Sequence, residues 1–247
     1  MIALVTGSGK KRVGAAVATL LAERGFGIAV HYNRSETEAA VTVRELRSLG
    51  VHAESFRADL GSEAEVKGLI ESVAARFGRI DLLANCAAIW EPKPLEDITA
   101  DDVRRHFEVN ALGTFLCSQQ AGLAMVKQPE GGLIVTVGDW AEARPYPGYA
   151  AYFPSKGAVT AMTRSLAVEL GMRNPRVRVN CVLPGPVMLP PELSDAEKKE
   201  AIDATLVKRE GSPRNVAQAV FSFWENDFIT GSCLPVDGGR TVFARGL

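Results

Sequence analysis

Tyr152 and Lys156 stand four residues apart in Tyr-Phe-Pro-Ser-Lys, and positions i and i+4 of a helix share one face. A free phenol titrates near ~10 and exchanges protons sluggishly at neutral pH. An ammonium beside it stabilises the phenolate and lowers that value, which suits acid–base catalysis. The spacing thus predicts a proton-transfer pair on a helix, the plainer alternative being an ordinary surface pair. Other reactive side chains are poorly arranged for chemistry. Cys86, Cys117, Cys181 and Cys233 form no Cys-x-x-Cys pair, lack a histidine at zinc-ligand spacing, and sit among apolar neighbours like buried reduced thiols. His31, His52 and His106 show no ligand spacing and read as surface or core residues, so no metal is expected.

The elements that must position this pair come from an alternating pattern. Strands are expected at Ile2–Val5, Ile28–Tyr32, His52–Arg57, Ile80–Asn85, Leu133–Val137, Arg176–Val182 and Cys233–Val236. Between them, helical spacing runs over Val13–Arg24, Glu36–Leu49, Ser62–Phe77, Thr99–Val126, Ala150–Leu170, Asp195–Leu206 and Asn215–Asn226. Ser62-Glu-Ala-Glu has the form of a capping box. Strands that alternate with helices, and are apolar throughout, predict a single-domain, Rossmann-like, doubly wound parallel seven-stranded sheet with helices on both faces, spanning residues 1–247. The charged, proline-rich stretch 184–211 reads as an insertion forming a substrate lid over the strand ends.

Composition narrows the partners. The chain is 47% hydrophobic and 23% charged with a net charge of −1, which gives no electrostatic reason to expect nucleic acid or a membrane surface. The start, Met-Ile-Ala-Leu-Val-Thr-Gly, reads as a strand rather than a signal peptide, and no apolar run approaches the ~18 residues of a membrane span. A cytoplasmic protein acting on a small molecule is the expectation.

The first strand ends in Thr6-Gly7-Ser8-Gly9-Lys10-Lys11-Arg12-Val13-Gly14 and opens a helix. Glycines there let the backbone approach a pyrophosphate, which rests on the helix N-terminus. Gly7, Lys11, Arg12 and Val13 are the candidate contacts. After the second strand, where an acidic residue would hold a ribose 2′-hydroxyl, the chain has Tyr32-Asn33-Arg34-Ser35. Arg34 and Ser35, with Arg12 or Lys11 nearby, suit a 2′-phosphate instead and favour NADPH, the alternative for Arg34 being a solvated surface side chain.

Along essentially its whole length the sequence resembles the short-chain dehydrogenase/reductase family. The matching stretches are Thr6-Gly7, Asp59-Leu60, Asn85-Cys86-Ala87, Val109-Asn110, Tyr152-x-x-x-Lys156, Pro184-Gly185, Ile229-Thr230-Gly231 and Val236-Asp237-Gly238-Gly239. The resemblance implies that Tyr152 donates the proton in reduction and that Lys156 lowers its pKa and holds the nicotinamide ribose. Asn110 would support a proton-relay water, and Asp59, Leu60, Asn85, Cys86, Ala87, Pro184 and Gly185 would line the cofactor. It also implies a homotetramer built on the two long helices and the last strand, although Phe107, Leu112, Phe115, Met162 and Leu166 equally suit the monomer core.

Two departures stand out. Where the family carries a serine thirteen residues before the tyrosine, this chain has Asp139, and a glycine of the first turn is replaced. Together with His31-Tyr-Asn-Arg34-Ser35 and Gly148-Tyr149-Ala-Ala-Tyr152 they are similar to the pteridine reductase branch, although the first turn is one residue longer than in that branch. An ionised carboxylate only accepts hydrogen bonds, so Asp139 suits ring N–H and amino groups, and Trp90 is placed to stack a flat heterocycle, with Trp140 a weaker wall; a core or interface role is the alternative for Trp90. The expected function is NADPH-dependent reduction of a dihydropterin. The alternative is a carbonyl reductase of ketone, sugar or 3-oxoacyl substrates, and a non-catalytic NADPH sensor is disfavoured because Tyr152, Lys156 and Asn110 are all present.

Overall fold

The structure, a computed structural model, describes residues 1–243. Its strands are β1 (Ile2–Thr6), β2 (Gly27–Tyr32), β3 (Ala53–Arg57), β4 (Leu82–Asn85), β5 (Gly132–Val137), β6 (Val177–Pro184) and β7 (Cys233–Val236). They form one parallel sheet in the order β3-β2-β1-β4-β5-β6-β7. The order reverses between β1 and β4, and open α/β sheets bind ligands in the crevice at such a reversal.

Burial on both faces explains the apolar strands. Ala3 and Val5, Ile28 and Val30, Leu82 and Ala84, and Leu133 and Val135 point to one side. There they meet helices α1 (Val13–Glu23), α2 (Glu36–Ser48) and α8 (Pro213–Glu225). Leu4, Ala29, Leu83 and Ile134, the alternate residues, point the other way. They meet α3 (Glu63–Phe77), α5 (Gly113–Val126) and α6 (Tyr152–Gly171). The period of two along each strand is what splits the core into two layers.

The expected elements are all present, with instructive differences at their ends. The single helix expected over Thr99–Val126 is three pieces: α4 (Ala100–His106), a π-helical turn at Phe107–Leu112, and α5. The π turn carries Asn110, whose side chain is fully buried. Thr99 caps α4 in a reciprocal box with Asp102. At α3 the box is incomplete: Ser62 Oγ accepts from Glu65 N at 3.3 Å, but the Glu65 carboxylate reaches Asp59 N at 2.8 Å rather than Ser62. Strand β6 runs on to Pro184 because it still pairs with β7 there, Pro184 lying opposite Val236. The segment 184–211 contains a short helix α7 (Asp195–Asp203), and its base is closed by Gly211 N donating to Pro186 O at 3.0 Å.

Candidate active site

The loop at the C-terminal end of β1 is held open by what glycine lacks. Gly7 has φ +63°, and a Cβ on it would lie 2.7 Å from Ala87 Cα. A Cβ on Gly14 would lie 2.6 Å from the Gly7 carbonyl oxygen. The start of α1 has no side-chain cap and no acidic residue in its first turn, which leaves its N–H groups to an anion. Asn85, at the end of β4, donates to Ser118 Oγ at 3.0 Å while its own buried Oδ1 lacks a partner among the described residues. A cradle without side chains and a free helix N-terminus fit the pyrophosphate of a dinucleotide.

His31 fastens this cradle, and sequence reasoning missed it. Its Nδ1 receives Gly7 N–H at 3.1 Å and its Nε2 lies 3.0 Å from Ala58 O. Both contacts are satisfied by the neutral ring with its proton on Nε2. Burial accordingly pushes the imidazole pKa down from 6.5 to about 4. A histidine near the end of an otherwise largely apolar strand is the available signal. Thr42 Oγ1 adds a second clasp, donating to Gly9 O at 3.0 Å.

Around the end of β2 the expected phosphate contacts separate. Lys11 pairs with Glu45, 2.8 Å from its Nζ. Arg34 is exposed, and Arg57, which the sequence did not single out, sits beside it with Nε donating to Asn33 O at 3.2 Å. Among the described residues Arg12, Arg34 and Arg57 take part in no ion pair. Asp59 turns its Oδ1 to Gly61 N at 3.0 Å and so closes the turn before α3.

Across the crevice, α6 begins at Tyr152 and carries both Tyr152 and Lys156 into the interior. Their pairing differs from the expected one. Lys156 Nζ donates to Val137 O at 2.7 Å and lies 5.9 Å from the Tyr152 ring centre. The phenol instead donates to Asp139 Oδ2 at 2.9 Å. Burial, then the Asp139 charge and its hydrogen bond, raise the Tyr152 pKa well above ordinary. The raised value is opposite to the lowering expected from the i, i+4 ammonium: desolvation and a neighbouring carboxylate outweigh the cation. Burial also raises the Asp139 pKa, opposed by the Ala141 N–H at 2.9 Å and the phenol, and lowers that of Lys156.

Asp139 is set by its own capping box. It ends β5's loop as the cap of a short 3-10 turn, and Glu142 three residues on accepts from Asp139 N at 3.3 Å. The other Glu142 oxygen accepts from Thr160 Oγ1 on α6. The Asp-x-x-Glu spacing could have revealed Glu142. Asn110 is held by its whole side-chain amide. Its Oδ1 accepts from Ile89 N at 2.8 Å, and its Nδ2 donates to Ile89 O and to Ser155 Oγ, both at 3.0 Å. The side chain thus clamps the loop after β4 against α6.

Aromatic rings pack together beside Tyr152. Trp90 stacks on Tyr149 at 4.7 Å and 14°, so one of its faces is already covered. Tyr146 packs against Tyr149 and Phe153, and stacks on Trp140 at 6.2 Å. Pro184 and Gly185 close the β6 side, where a Cβ on Gly185 would meet Asp237 Cα at 2.5 Å. Leu60 is buried beneath α5, and Cys86 and Ala87 follow β4 beside Gly7.

A glycine cradle at the sheet's reversal point, facing a buried tyrosine, lysine and carboxylate, defines an oxidoreductase of the Rossmann type. Residues 8–241 match the family described as enoyl-(acyl carrier protein) reductase. The chain is 35% identical to the uncharacterized oxidoreductase YohF of Escherichia coli (strain K12) over 96% of this chain and 94% of that protein. It is 32% identical to the 3-oxoacyl-[acyl-carrier-protein] reductase FabG of Staphylococcus aureus over 96% of each chain. Among solved structures, acetoin dehydrogenase from Enterobacter cloacae superposes with a TM-score of 0.88 at 36% identity, covering 100% of this chain and 97% of that one. The chain belongs to the short-chain dehydrogenase/reductase family, whose members use a nicotinamide cofactor. The two relatives with a named activity are a 3-oxoacyl-[acyl-carrier-protein] reductase and an acetoin dehydrogenase, not pteridine reductases.

Proposed function

We propose that the protein is an NADPH-dependent carbonyl reductase, acting on a ketone of the hydroxyketone or 3-oxoacyl kind. The observation that carries this reading is the Tyr152 phenol hydrogen-bonded at 2.9 Å to a carboxyl group whose pKa is raised by burial. The Gly7–Gly14 loop and the start of α1 would hold a reduced nicotinamide dinucleotide, which would supply hydride to the carbonyl carbon. Tyr152 gives its proton to the carbonyl oxygen as that C–H bond forms. The resulting phenolate then takes a proton from the Asp139 carboxyl along the same line, with the Lys156 charge close to the ring. In its protonated form Asp139 is also a donor, as the hydroxyl of the usual serine is, so the substitution does not exclude a ketone. Arg34 and Arg57, with Arg12, support NADPH over NADH, since an Arg fork matches a 2′-phosphate.

Reduction of a pterin is the second reading. It is favoured by the carboxylate form of Asp139, an acceptor for ring N–H groups, and by the Trp90–Tyr149 wall; the relatives weigh against it. The segment 184–211 serves as the lid. The partly exposed Phe107, Leu112 and Phe115 support a homotetramer through the α4–α5 face, and a cytoplasmic location accompanies this reading. The test is turnover of NADPH, and separately NADH, by the purified protein with diacetyl, an acetoacetyl thioester and dihydrobiopterin. Reduction of the first two with NADPH supports the proposal. Reduction of the pterin alone replaces it with the second reading.

A further inference from the structure

Past the Tyr152–Asp139 pair lies a second cleft of about 200 Å³, lined by Trp140, Arg144, Tyr146, Ala204, Arg240 and Phe243. Three parts of the chain meet there: the loop after β5, the turn following α7, and the segment after β7. Arg240 Nη1 donates to Ala201 O on α7 at 2.9 Å, and its guanidinium lies 4.6 Å over the Trp140 ring. Arg144 Nη1 donates to Arg240 O at 3.1 Å and to Phe243 O. Each guanidinium has five N–H donors in a rigid fork, so most remain for a ligand.

Among the described residues neither cation is bonded directly to a carboxylate, and neither takes part in an ion pair. Both oxygens of nearby Asp237 are occupied, one by Gly239 N at 2.8 Å and the other by Thr241 N and Oγ1 at 2.6 Å. Glu200, which is exposed, and Asp237 act on Arg240 through their charges alone. Two cations in a half-buried aromatic cleft call for an oxyanion, which a guanidinium pair binds by charge-assisted hydrogen bonds. The cleft lies next to the reacting groups, with the buried Trp140 between them. Trp140 adjoins Asp139 in the chain, and Tyr146 stacks on Trp140 while its phenol feels the charges of both Asp139 and Arg240.

We infer that Arg144 and Arg240 bind an oxyanion at the far end of the substrate, so that this enzyme selects carbonyl compounds bearing a carboxylate or a phosphate. The inference rests on the carbonyl-reductase reading above. Its test uses pairs of substrates differing only in charge: keto acids against their methyl esters, and dihydroxyacetone phosphate against dihydroxyacetone. The two arms separate a carboxylate source from a phosphate source. In the wild type, kcat/KM for the charged member of at least one pair exceeds that of its neutral counterpart at least about tenfold. Arg240→Gln raises KM for the charged member about tenfold more than for the neutral one, and Arg240→Lys restores part of the difference. Equal rates on charged and neutral members, or equal losses in R240Q, overturn it. Should no carbonyl compound of either kind be reduced, the carbonyl reading fails. The cleft is then judged by titration calorimetry with inorganic phosphate: binding to the wild type that R240Q loses sustains the anion site, and no binding to the wild type overturns it.

Discussion

Tyr152 and Asp139 come from different elements, a helix start and the loop after a strand, yet the phenol and the carboxylate are in direct hydrogen bond at 2.9 Å. The two groups oppose each other electrostatically: an ionised Asp139 holds the phenolic proton in place and raises its pKa. Release of that proton to a substrate is therefore tied to the protonation of Asp139.

Reduction consequently follows the Asp139 carboxyl. Its folded pKa lies above the ordinary carboxylate value, so the protonated form persists to higher pH than in a solvated aspartate and is lost as pH rises through that raised value. The kcat/KM for ketone reduction falls through this limb in the wild type. In Asp139→Asn the limb disappears from the profile, because an amide does not titrate there. A profile of unchanged shape in the variant contradicts the assignment.

His31 links the cofactor cradle to stability. Its folded pKa of about 4 lies below the unfolded 6.5, so at pH above 6.5 both states are neutral and the difference vanishes. As pH falls from 6.5 toward 4 the unfolded chain takes up a proton that the folded one refuses, which costs about 3 kcal/mol in all. Urea midpoints measured across that range fall more steeply in the wild type than in His31→Phe. The variant also loses the acceptor for Gly7 N–H, and its KM for the cofactor rises. Parallel pH dependences in the two proteins rule out this role.

Cofactor choice is assigned to the basic cluster at the end of β2. Arg34→Ala narrows the ratio of kcat/KM for NADPH over NADH by about tenfold, the worth of one charge-assisted contact. Adding Arg57→Ala narrows it further. A ratio that does not move leaves Arg34 as a solvated surface residue.

Much of this was legible in the residues, and the remainder has identifiable physical causes. Continuous apolar strands and helical periods carry the sheet and both helix layers, since the burial that selects those residues is the same burial that defines the fold. Gly7, Tyr152 and Lys156 were found because each has a local signature. The π turn at Phe107–Leu112 has none: it exists to bring Asn110 onto Ile89, twenty-one residues earlier in the chain. The sign of the Tyr152 shift was misjudged for a similar reason. Spacing on one helix counts Lys156, but the burial of the ring and the approach of Asp139 are set by tertiary structure. Lys11 shows the same limit, since it lies in the loop before α1 and its partner Glu45 on α2.

The central claim is that Tyr152 delivers the proton that accompanies hydride transfer. The direct measurement is single-turnover oxidation of bound NADPH by a ketone substrate in the wild type and in Tyr152→Phe, with NADPH affinity determined in parallel. The account predicts that the variant binds NADPH as before and transfers hydride at least about 100-fold more slowly. A variant that turns over within about threefold of the wild type, a loss below ~1 kcal/mol, contradicts it.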